Sequence, residues 1–267
     1  MKDQREPISA FVICFNEEDQ IADCLASLSF CDEIVCIDSC STDRTPEICM
    51  QHGARVVQRK WTGYRDQKAF GLQQVSHEWV LNIDADERVS TELRESILGI
   101  LRDDYRYHRG EEATAPKNGY EFNRVVYYLG RWWRLGGWYP EYRLRFFRKS
   151  KTTWGGVDPH EKPIVAGAKG RLAGELQHFT YENLDEQLHK LNSFSTISAR
   201  EDFQRGRRGN VLKMFINPLL RMFKFYILKK GYREGVAGMV VAFVEGYYTF
   251  MKYAKLWECE LYERIGK

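Results

Sequence analysis

Two carboxylates stand one residue apart at the end of an apolar run, in the stretch HEWVLNIDADERVS over residues 77–90. Asp84 and Asp86 point the same way in an extended strand, because side chains two residues apart share a face. Two such carboxylates can share one divalent cation, and hard oxygen ligands without a nearby cysteine suit Mg²⁺ or Mn²⁺. The alternative is a solvated strand end that caps the next helix, and the spacing alone leaves both open. Glu87, which follows the pair, is expected to belong to the turn into the next helix rather than to the site.

A second group of chemically capable side chains lies in the stretch VDPHEKP, residues 157–163. Asp158, His160 and Glu161 bring together carboxylates and an imidazole, which can bind a metal ion or move protons. A purely structural turn is the other interpretation of this stretch.

The elements that must carry these residues alternate between strand and helix over the first hundred residues. Apolar runs predict strands over 8–16, 32–39, 54–61 and 78–87, with helices between them and a further helix opened by Ser90. Such alternation indicates an α/β fold, with a mainly parallel sheet flanked by helices. Ligands bind beyond the carboxyl ends of such strands.

Polar side chains follow several of these strand ends. Asn16 and Glu17 come after the first strand, where Asn16 is also the expected N-cap of the first helix, and Asp38 ends the second strand. The chain has neither G-x-G-x-x-G nor G-x-x-x-x-G-K-[ST], which excludes the common Gly-rich phosphate loops. A sugar-phosphate nucleotidyltransferase, which would need a Gly-rich, Arg-containing loop near the start, is disfavoured for the same reason.

The pattern changes after residue 102. A charged stretch over 102–118 predicts a loop, β segments follow over 119–130 and 142–149, and the chain reads as helical from 182 onward. We therefore predict a catalytic domain over residues 1–180 and a C-terminal helical region over 181–267.

Composition narrows the class of protein. The 267 residues are 43% hydrophobic, enough for a core, and 40 basic against 37 acidic residues give a charge of +3, too weak to indicate a nucleic-acid partner. Six of the seven cysteines precede residue 50 without any C-x-x-C, which indicates reduced structural cysteines in a reducing cytosol rather than a metal site. No signal peptide is apparent, and no apolar run approaches the roughly 20 residues that cross a bilayer.

Several stretches, in order and spacing, resemble the family 2 glycosyltransferases with the GT-A fold, and most of all their lipopolysaccharide core β-glycosyltransferase branch. The resemblance runs from about residue 8 to 165 and is carried by CFNEEDQIADCLASL, EIVCIDSCSTDRT, GARVV, WTGYRDQKAFGLQQVSHEWVLNIDADE and WYPEYRLRFFRKSKTTWGGVDPHEKP.

The resemblance implies a nucleotide-sugar donor held by a divalent cation, Mg²⁺ or Mn²⁺. It implies Asp86 as the direct metal ligand, Asp84 nearer the ribose, and His160 as a third metal or diphosphate contact. A cation there would stabilise the negative charge of a departing diphosphate. The nucleotide contacts that it implies are Phe15, Asn16, Glu17, Asp38, Lys68, Asp84 and Ala85.

An inverting transfer needs a carboxylate that takes the proton of the acceptor hydroxyl. Glu161 is the candidate base. The branch shows a bare His-Glu after an apolar residue, whereas Asp158 and Pro159 precede that pair here, so Asp158 is the alternative base.

Arginines and aromatic residues between 131 and 148 are further candidates. Arg143 or Arg145 could reach the diphosphate, since guanidinium groups fit phosphate oxygens, or could form a solvated strand face. Flat apolar rings could stack on donor or acceptor sugars, or could instead close a small second layer; they are Trp132, Trp133, Trp138 and Tyr139.

The segment VLKMFINPLLRMFKFYILKKGYREG, residues 211–235, combines large apolar residues with a narrow polar stripe of Lys213, Asn217, Arg221 and Lys224. Pro218 predicts a helix start or kink at Asn217. A basic amphipathic helix of this kind can lie on an anionic membrane surface. Packing on the catalytic domain or on a second subunit of a homodimer is the alternative.

Together these features predict a metal-dependent inverting glycosyltransferase. It would move a hexose from a nucleotide sugar, most simply a UDP sugar, to a lipid-linked saccharide such as lipopolysaccharide core, as a peripheral protein on the inner face of the cytoplasmic membrane. The alternatives are transfer to a polyprenyl phosphate or a peptide side chain, and a non-catalytic membrane-associated scaffold.

Overall fold

A computed structural model describes residues 4–111, 114–156 and 161–266. Asp158 and His160 lie outside the described residues. The contacts divide the chain into two compact units. Unit 1 comprises the described parts of 1–125 and 141–179, and unit 2 comprises 126–140 and the described part of 180–267. The predicted functional boundary at residue 180 stays a prediction.

The described residues form eleven strands and seven α-helices. The strands are β1 (Ile8–Cys14), β2 (Glu33–Asp38), β3 (Arg55–Gln58), β4 (Trp79–Asp84), β5 (Glu87–Val89), β6 (Gly119–Tyr128), β7 (Arg131–Trp133), β8 (Glu141–Arg148), β9 (Thr152–Gly155), β10 (Lys162–Val165) and β11 (Lys169–His178). The helices are α1 (Ile21–Ser27), α2 (Thr45–Gln51), α3 (Tyr64–Gln74), α4 (Thr91–His108), α5 (Leu184–Gln204), α6 (Val211–Phe223) and α7 (Gly235–Arg264).

Unit 1 is built on a sheet whose parallel half has the strand order β3-β2-β1-β4. The sheet continues with β8 antiparallel to β4 and β6 antiparallel to β8, and then with β11 and β5. A separate hairpin pairs β9 with β10. The α/β class with a parallel sheet between helices, predicted from the alternating pattern, is confirmed.

The core of unit 1 lies on both faces of β1. Ala10 and Val12 pack in one cluster with residues of α1 and α4, while Phe11 packs on the opposite face with Leu72 of α3. A strand covered on both faces must be apolar throughout, which explains the unbroken run ISAFVIC. Complete burial of each large apolar side chain contributes about 1.5–3 kcal/mol to stability. Gly71 lets α3 approach this close, since a Cβ there would stand 2.6 Å from the Phe11 ring.

The helix opened by Ser90 extends further than the sequence pattern indicated. Its N-cap is as expected, with Leu93 N donating to Ser90 Oγ at 3.2 Å, but α4 continues to His108, so the predicted loop over 102–118 is wrong for its first turns. Asp104 is buried on α4, where it accepts hydrogen bonds from Trp79 Nε1 and Arg148. The charged composition of this stretch masks its helical pattern. Asp104 can be buried on the inner face of α4 because both of its carboxylate oxygens accept hydrogen bonds.

In unit 2 a tight hairpin joins β6 to β7, with Val126 opposite Trp133 and positive φ angles at Leu129 and Gly130. Two positive φ angles in a two-residue turn match the twist of the strands. The hairpin packs with Phe225 and α7 residues in one cluster. None of the described helices combines the length and apolar character needed to cross a membrane.

α6 begins earlier than predicted. Asn210 is its N-cap, accepting from Lys213 N at 2.9 Å, and the helix runs through Pro218 to Phe223. Of the two predicted alternatives, a helix start at Asn217 is therefore wrong, and a kink there stays a prediction. A π-helical turn over Lys224–Leu228 follows directly.

Candidate active site

The carboxyl ends of three parallel strands meet at one edge of unit 1. Cys14 pairs with Asp38 across β1 and β2, and Ile13 pairs with Asp84 across β1 and β4. The polar residues expected there from the sequence therefore share that edge.

The loops after β1 and β2 are bound to each other. Asn16 adopts a left-handed φ of 53° and accepts a hydrogen bond from Thr42 N at 2.8 Å, while its own N–H donates to Ser41 Oγ at 2.9 Å. Glu17 N donates to Thr45 Oγ1 at 2.8 Å. The predicted N-cap role of Asn16 is wrong, because α1 begins at Ile21. Asn16 instead fixes one loop against the other.

Asp38 is fully buried at the end of β2. Its carboxylate accepts from Ser41 N at 3.1 Å and from Ser41 Oγ at 2.5 Å. Phe15, in contrast, is 54% exposed at the start of the neighbouring loop. The edge thus offers one buried acid held in place and one exposed aromatic ring.

Lys68, the fifth residue of α3, lies between two carboxylates. Its Nζ lies 3.0 Å from Asp84 Oδ1 and 2.9 Å from Glu161 Oε1. The Lys68 and Glu161 side chains are only 5% and 8% exposed. Glu161 Oε2 is also buried and has no hydrogen-bond partner among the described residues. One ammonium therefore connects the first acid of the Asp-Ala-Asp motif to the candidate base.

Arg145 of β8 holds Asp84 from the other side. It forms an ion pair with Asp84 Oδ2 and donates to Asn82 Oδ1 at 2.7 Å and Glu87 Oε1 at 3.2 Å. Burial by itself raises the pKa of Asp84, but Arg145 and Lys68 outweigh it and hold that pKa well below its usual range. Asp84 therefore stays an acceptor-only carboxylate at any working pH.

Glu87 is completely buried in β5 and accepts hydrogen bonds from Asp84 N, Arg145 and Arg124. The sequence pattern indicated only that Glu87 belongs to the turn into the next helix. It is instead a strand residue whose charge balances two buried guanidinium groups.

Asp86 has a neighbour that the sequence analysis did not single out. His178, the last residue of β11, places Nε2 3.2 Å from Asp86 Oδ2, and Phe179 N donates to the Asp86 carbonyl at 2.8 Å. The pairing of β11 with β5 sets His178 opposite Glu87, one residue from Asp86. Its one sequence signal was a polar residue at a strand end, which it shares with Asp38 and Asp84.

The remaining predicted site residues are Ala85, Arg143 and four aromatic side chains. Ala85 is buried between the two acids, and Arg143 is 45% exposed with its guanidinium 2.5 Å from Glu141. The aromatic residues Trp132, Trp133, Trp138 and Tyr139 belong to unit 2.

Trp133 is fully buried, and its Nε1 donates to the Tyr128 carbonyl at 2.8 Å. Trp138 donates to Glu245 Oε1 at 2.9 Å. A ring with no accessible face has no surface for a sugar, so the structure favours the packing role for Trp133.

One grouping of three potential metal ligands appears among residues 4–111, 114–156 and 161–266, namely Glu6, Asp104 and His108. Asp104 is already neutralised there by Arg148 at 2.6 Å. The grouping belongs to the packing of α4 and is separate from the Asp-Ala-Asp edge.

Comparison with known proteins identifies the family of this chain. Residues 9–156 match the model of the family described as glycosyl transferase family 2. The chain is 32% identical to the lipopolysaccharide core biosynthesis glycosyltransferase LpsC of Rhizobium meliloti, over 94% of this chain and 92% of that protein. An uncharacterized glycosyltransferase of Rickettsia conorii is 28% identical over 97% of this chain and 93% of its own.

A solved structure matches over a shorter stretch. Glucosyl-3-phosphoglycerate synthase from Mycobacterium tuberculosis, in complex with Mn²⁺ and UDP-glucose, is 29% identical over 31% of this chain and 34% of its own, with a TM-score of 0.29. That similarity is too small to bear on the site.

The family match and the relative of nearly full length show that the chain is a sugar-transferring enzyme. The chain belongs to glycosyl transferase family 2, as the sequence motifs predicted, and its similarity to the lipopolysaccharide core branch is confirmed over nearly the whole length.

Proposed function

We propose that this glycosyltransferase moves a hexose from a UDP sugar to a lipid-linked saccharide, such as lipopolysaccharide core, with inversion at the transferred carbon. One observation carries the proposal: the Lys68 ammonium contacts both Asp84 and Glu161, beside Asp86. The buried carboxylate of Glu161 therefore lies next to a positive charge that can bind phosphate. The similarity to LpsC supports the acceptor class.

Lys68 is suited to bridge donor and base. An ammonium has three N–H donors, and the two carboxylates take one each, which leaves one for a phosphate oxygen. Asp84, held by Arg145, keeps Lys68 in position. Glu161 then takes the proton of the acceptor hydroxyl through Oε2 as the new glycosidic bond forms and UDP leaves on the opposite face.

Asp86 and His178 fit a divalent cation. A carboxylate and an imidazole nitrogen together suit a first-row ion such as Mn²⁺ better than Mg²⁺, which prefers oxygen ligands. When bound, such an ion stabilises the charge that gathers on the departing diphosphate. Asp84 is less suited to direct coordination, because two cationic side chains already occupy its oxygens.

The first test is nucleotide binding without turnover. UDP should raise the melting temperature of the protein more strongly with Mn²⁺ than without it, because a ligand that binds only the folded state stabilises it by mass action. Asp86→Asn and His178→Ala should each abolish the Mn²⁺ increment, that is, the additional rise in melting temperature that UDP gives when Mn²⁺ is present. Asp23→Asn, which removes an exposed carboxylate paired with Arg88, is the matched control and should leave it intact.

No UDP-dependent shift in the unaltered protein would overturn the donor assignment. A His178→Ala variant that melts earlier but keeps the full Mn²⁺ increment would limit His178 to a structural role.

Lys68→Met should weaken UDP binding about 10- to 100-fold, because one charge-assisted hydrogen bond to a phosphate is lost. Uridine, which lacks phosphates, should bind the variant and the unaltered protein equally. Lys60→Met at an exposed position is the control. Equal losses for UDP and uridine, measured by calorimetry, would show that Lys68 supports the fold rather than the diphosphate.

A further inference from the structure

A broad apolar surface of unit 2 lies on α6 and the π-helical turn that follows it. The face of α6 that carries Met214 and Pro218 is buried, and Asn217 donates to the Tyr253 hydroxyl of α7 at 2.8 Å. The outward face is formed by large side chains that are 43–68% exposed; they are Val211, Leu212, Phe215, Ile216, Leu219, Leu220, Phe223, Ile227 and Leu228. We call this set the apolar face. Continuous exposure of this kind marks an interaction surface.

The segment that carries the apolar face has charges of one sign. Residues 211–233 contain six Lys and Arg and no Asp or Glu. Arg221 is neutralised by Glu245 at 2.7 Å. The other five form no ion pair with any residue that the structure describes, and all five are exposed; they are Lys213, Lys224, Lys229, Lys230 and Arg233.

We propose that the apolar face inserts into the interface of a membrane leaflet rich in anionic lipids, with the five cations among the lipid phosphates. Charge complementarity decides this occupant. In a two-fold dimer the same surface would meet itself and would set five unpaired cations against five more. An anionic leaflet supplies both the apolar layer and the opposite charge.

The geometry fits a helix that lies along the surface. With 13 residues α6 is about 20 Å long, shorter than the roughly 30 Å hydrocarbon core of a bilayer. When the apolar face of α6 inserts into the membrane, the opposite side of the helix, which carries Met214 and Pro218, stays packed on α7.

The test is flotation of the full chain with phosphatidylcholine vesicles, with and without one third phosphatidylglycerol. Binding should require the anionic lipid. Leu219→Glu/Phe223→Glu should weaken it at least a hundredfold, because both substitutions put charge into the inserted face. Met50→Glu/Tyr107→Glu, which alters two exposed apolar residues of unit 1, should have no effect.

A second variant separates charge from insertion. Lys224→Ala/Lys229→Ala/Lys230→Ala should lose about a hundredfold on anionic vesicles, roughly fivefold for each cation. The control Arg94→Ala/Arg106→Ala/Arg109→Ala removes the same charge from α4 and its C-cap, and it should bind as the unaltered protein does. Equal losses in both triple variants would overturn the proposal.

Two other results would also overturn it: equal binding to neutral and anionic vesicles, or a solution dimer that Leu219→Glu/Phe223→Glu converts to a monomer in sedimentation equilibrium. Neither nucleotide nor acceptor is present in these measurements, so they stand apart from tests of the proposed transfer reaction.

Discussion

Glu161→Gln is expected to lower the rate of sugar transfer about 10³-fold while leaving UDP affinity unchanged. Gln keeps the shape of the side chain and its carbonyl oxygen can still accept from Lys68, which lies 2.9 Å from Glu161 Oε1. What is lost is a carboxylate that can take a proton, and a positioned general base contributes about 10²–10⁴ in rate. Single-turnover transfer from a UDP-hexose to a lipid-linked core saccharide measures the first quantity, and calorimetry with UDP measures the second.

Two further variants show whether Glu161 or another residue is the base. Glu92→Gln changes an exposed carboxylate of α4 and should transfer at the normal rate. Asp158→Asn tests the alternative base. If Asp158→Asn loses transfer and Glu161→Gln keeps it, the base is Asp158. If Glu161→Gln loses UDP affinity as much as rate, Glu161 serves donor binding instead.

The parallel half of the sheet is predictable from local sequence patterns, because it consists of strand-helix units that follow one another along the chain. Apolar runs such as ISAFVIC and WVLNID are buried on both faces, so their hydrophobicity alone identifies them as inner strands. Parallel strands end at the same edge of a sheet, which is why the sequence alone predicts that Asp38 and Asp84 share one edge.

Other contacts of the site depend on residues that are far apart in the sequence, and local patterns do not predict them. His178 reaches Asp86 across 92 residues, through the antiparallel contact of β11 with β5. Nothing within a local window predicts that contact. The left-handed turn at Asn16 is similar, since it is stabilised by Thr42, 26 residues away. Local propensity indicated a helix cap there, and tertiary hydrogen bonds overrode it.

Buried charges were the second source of error. Charged side chains are rarely buried unless paired, so the sequence pattern predicts a turn at Glu87 and a loop over the charged second half of α4. Glu87 and Asp104 are both buried here, and each pairs with an arginine far away in sequence. A composition rule cannot recognise a charge whose counter-charge lies on another strand.

Glu87→Gln is accordingly expected to be the most destabilising change near the site. Glu87 is fully buried, and its two oxygens accept from Arg145 at 3.2 Å, from Arg124 at 3.3 Å and from Asp84 N at 3.0 Å. Removing one partner of a buried ion pair leaves uncompensated charge and costs about 3–5 kcal/mol. The new amide would also turn N–H donors toward groups that are themselves donors.

The free energy of unfolding in urea should therefore fall by about 3–5 kcal/mol, with a melting temperature lower by about 10 °C. Glu141→Gln is the matched control, since Glu141 also contacts Arg124, at 2.7 Å, but its side chain is 31% exposed and water can replace the lost charge. The free energy of unfolding of Glu141→Gln should fall by less than about 1.5 kcal/mol. Equal unfolding midpoints for the two variants would contradict the idea that buried Glu87 balances the guanidinium groups of Arg124 and Arg145, of which Arg145 holds Asp84 in place.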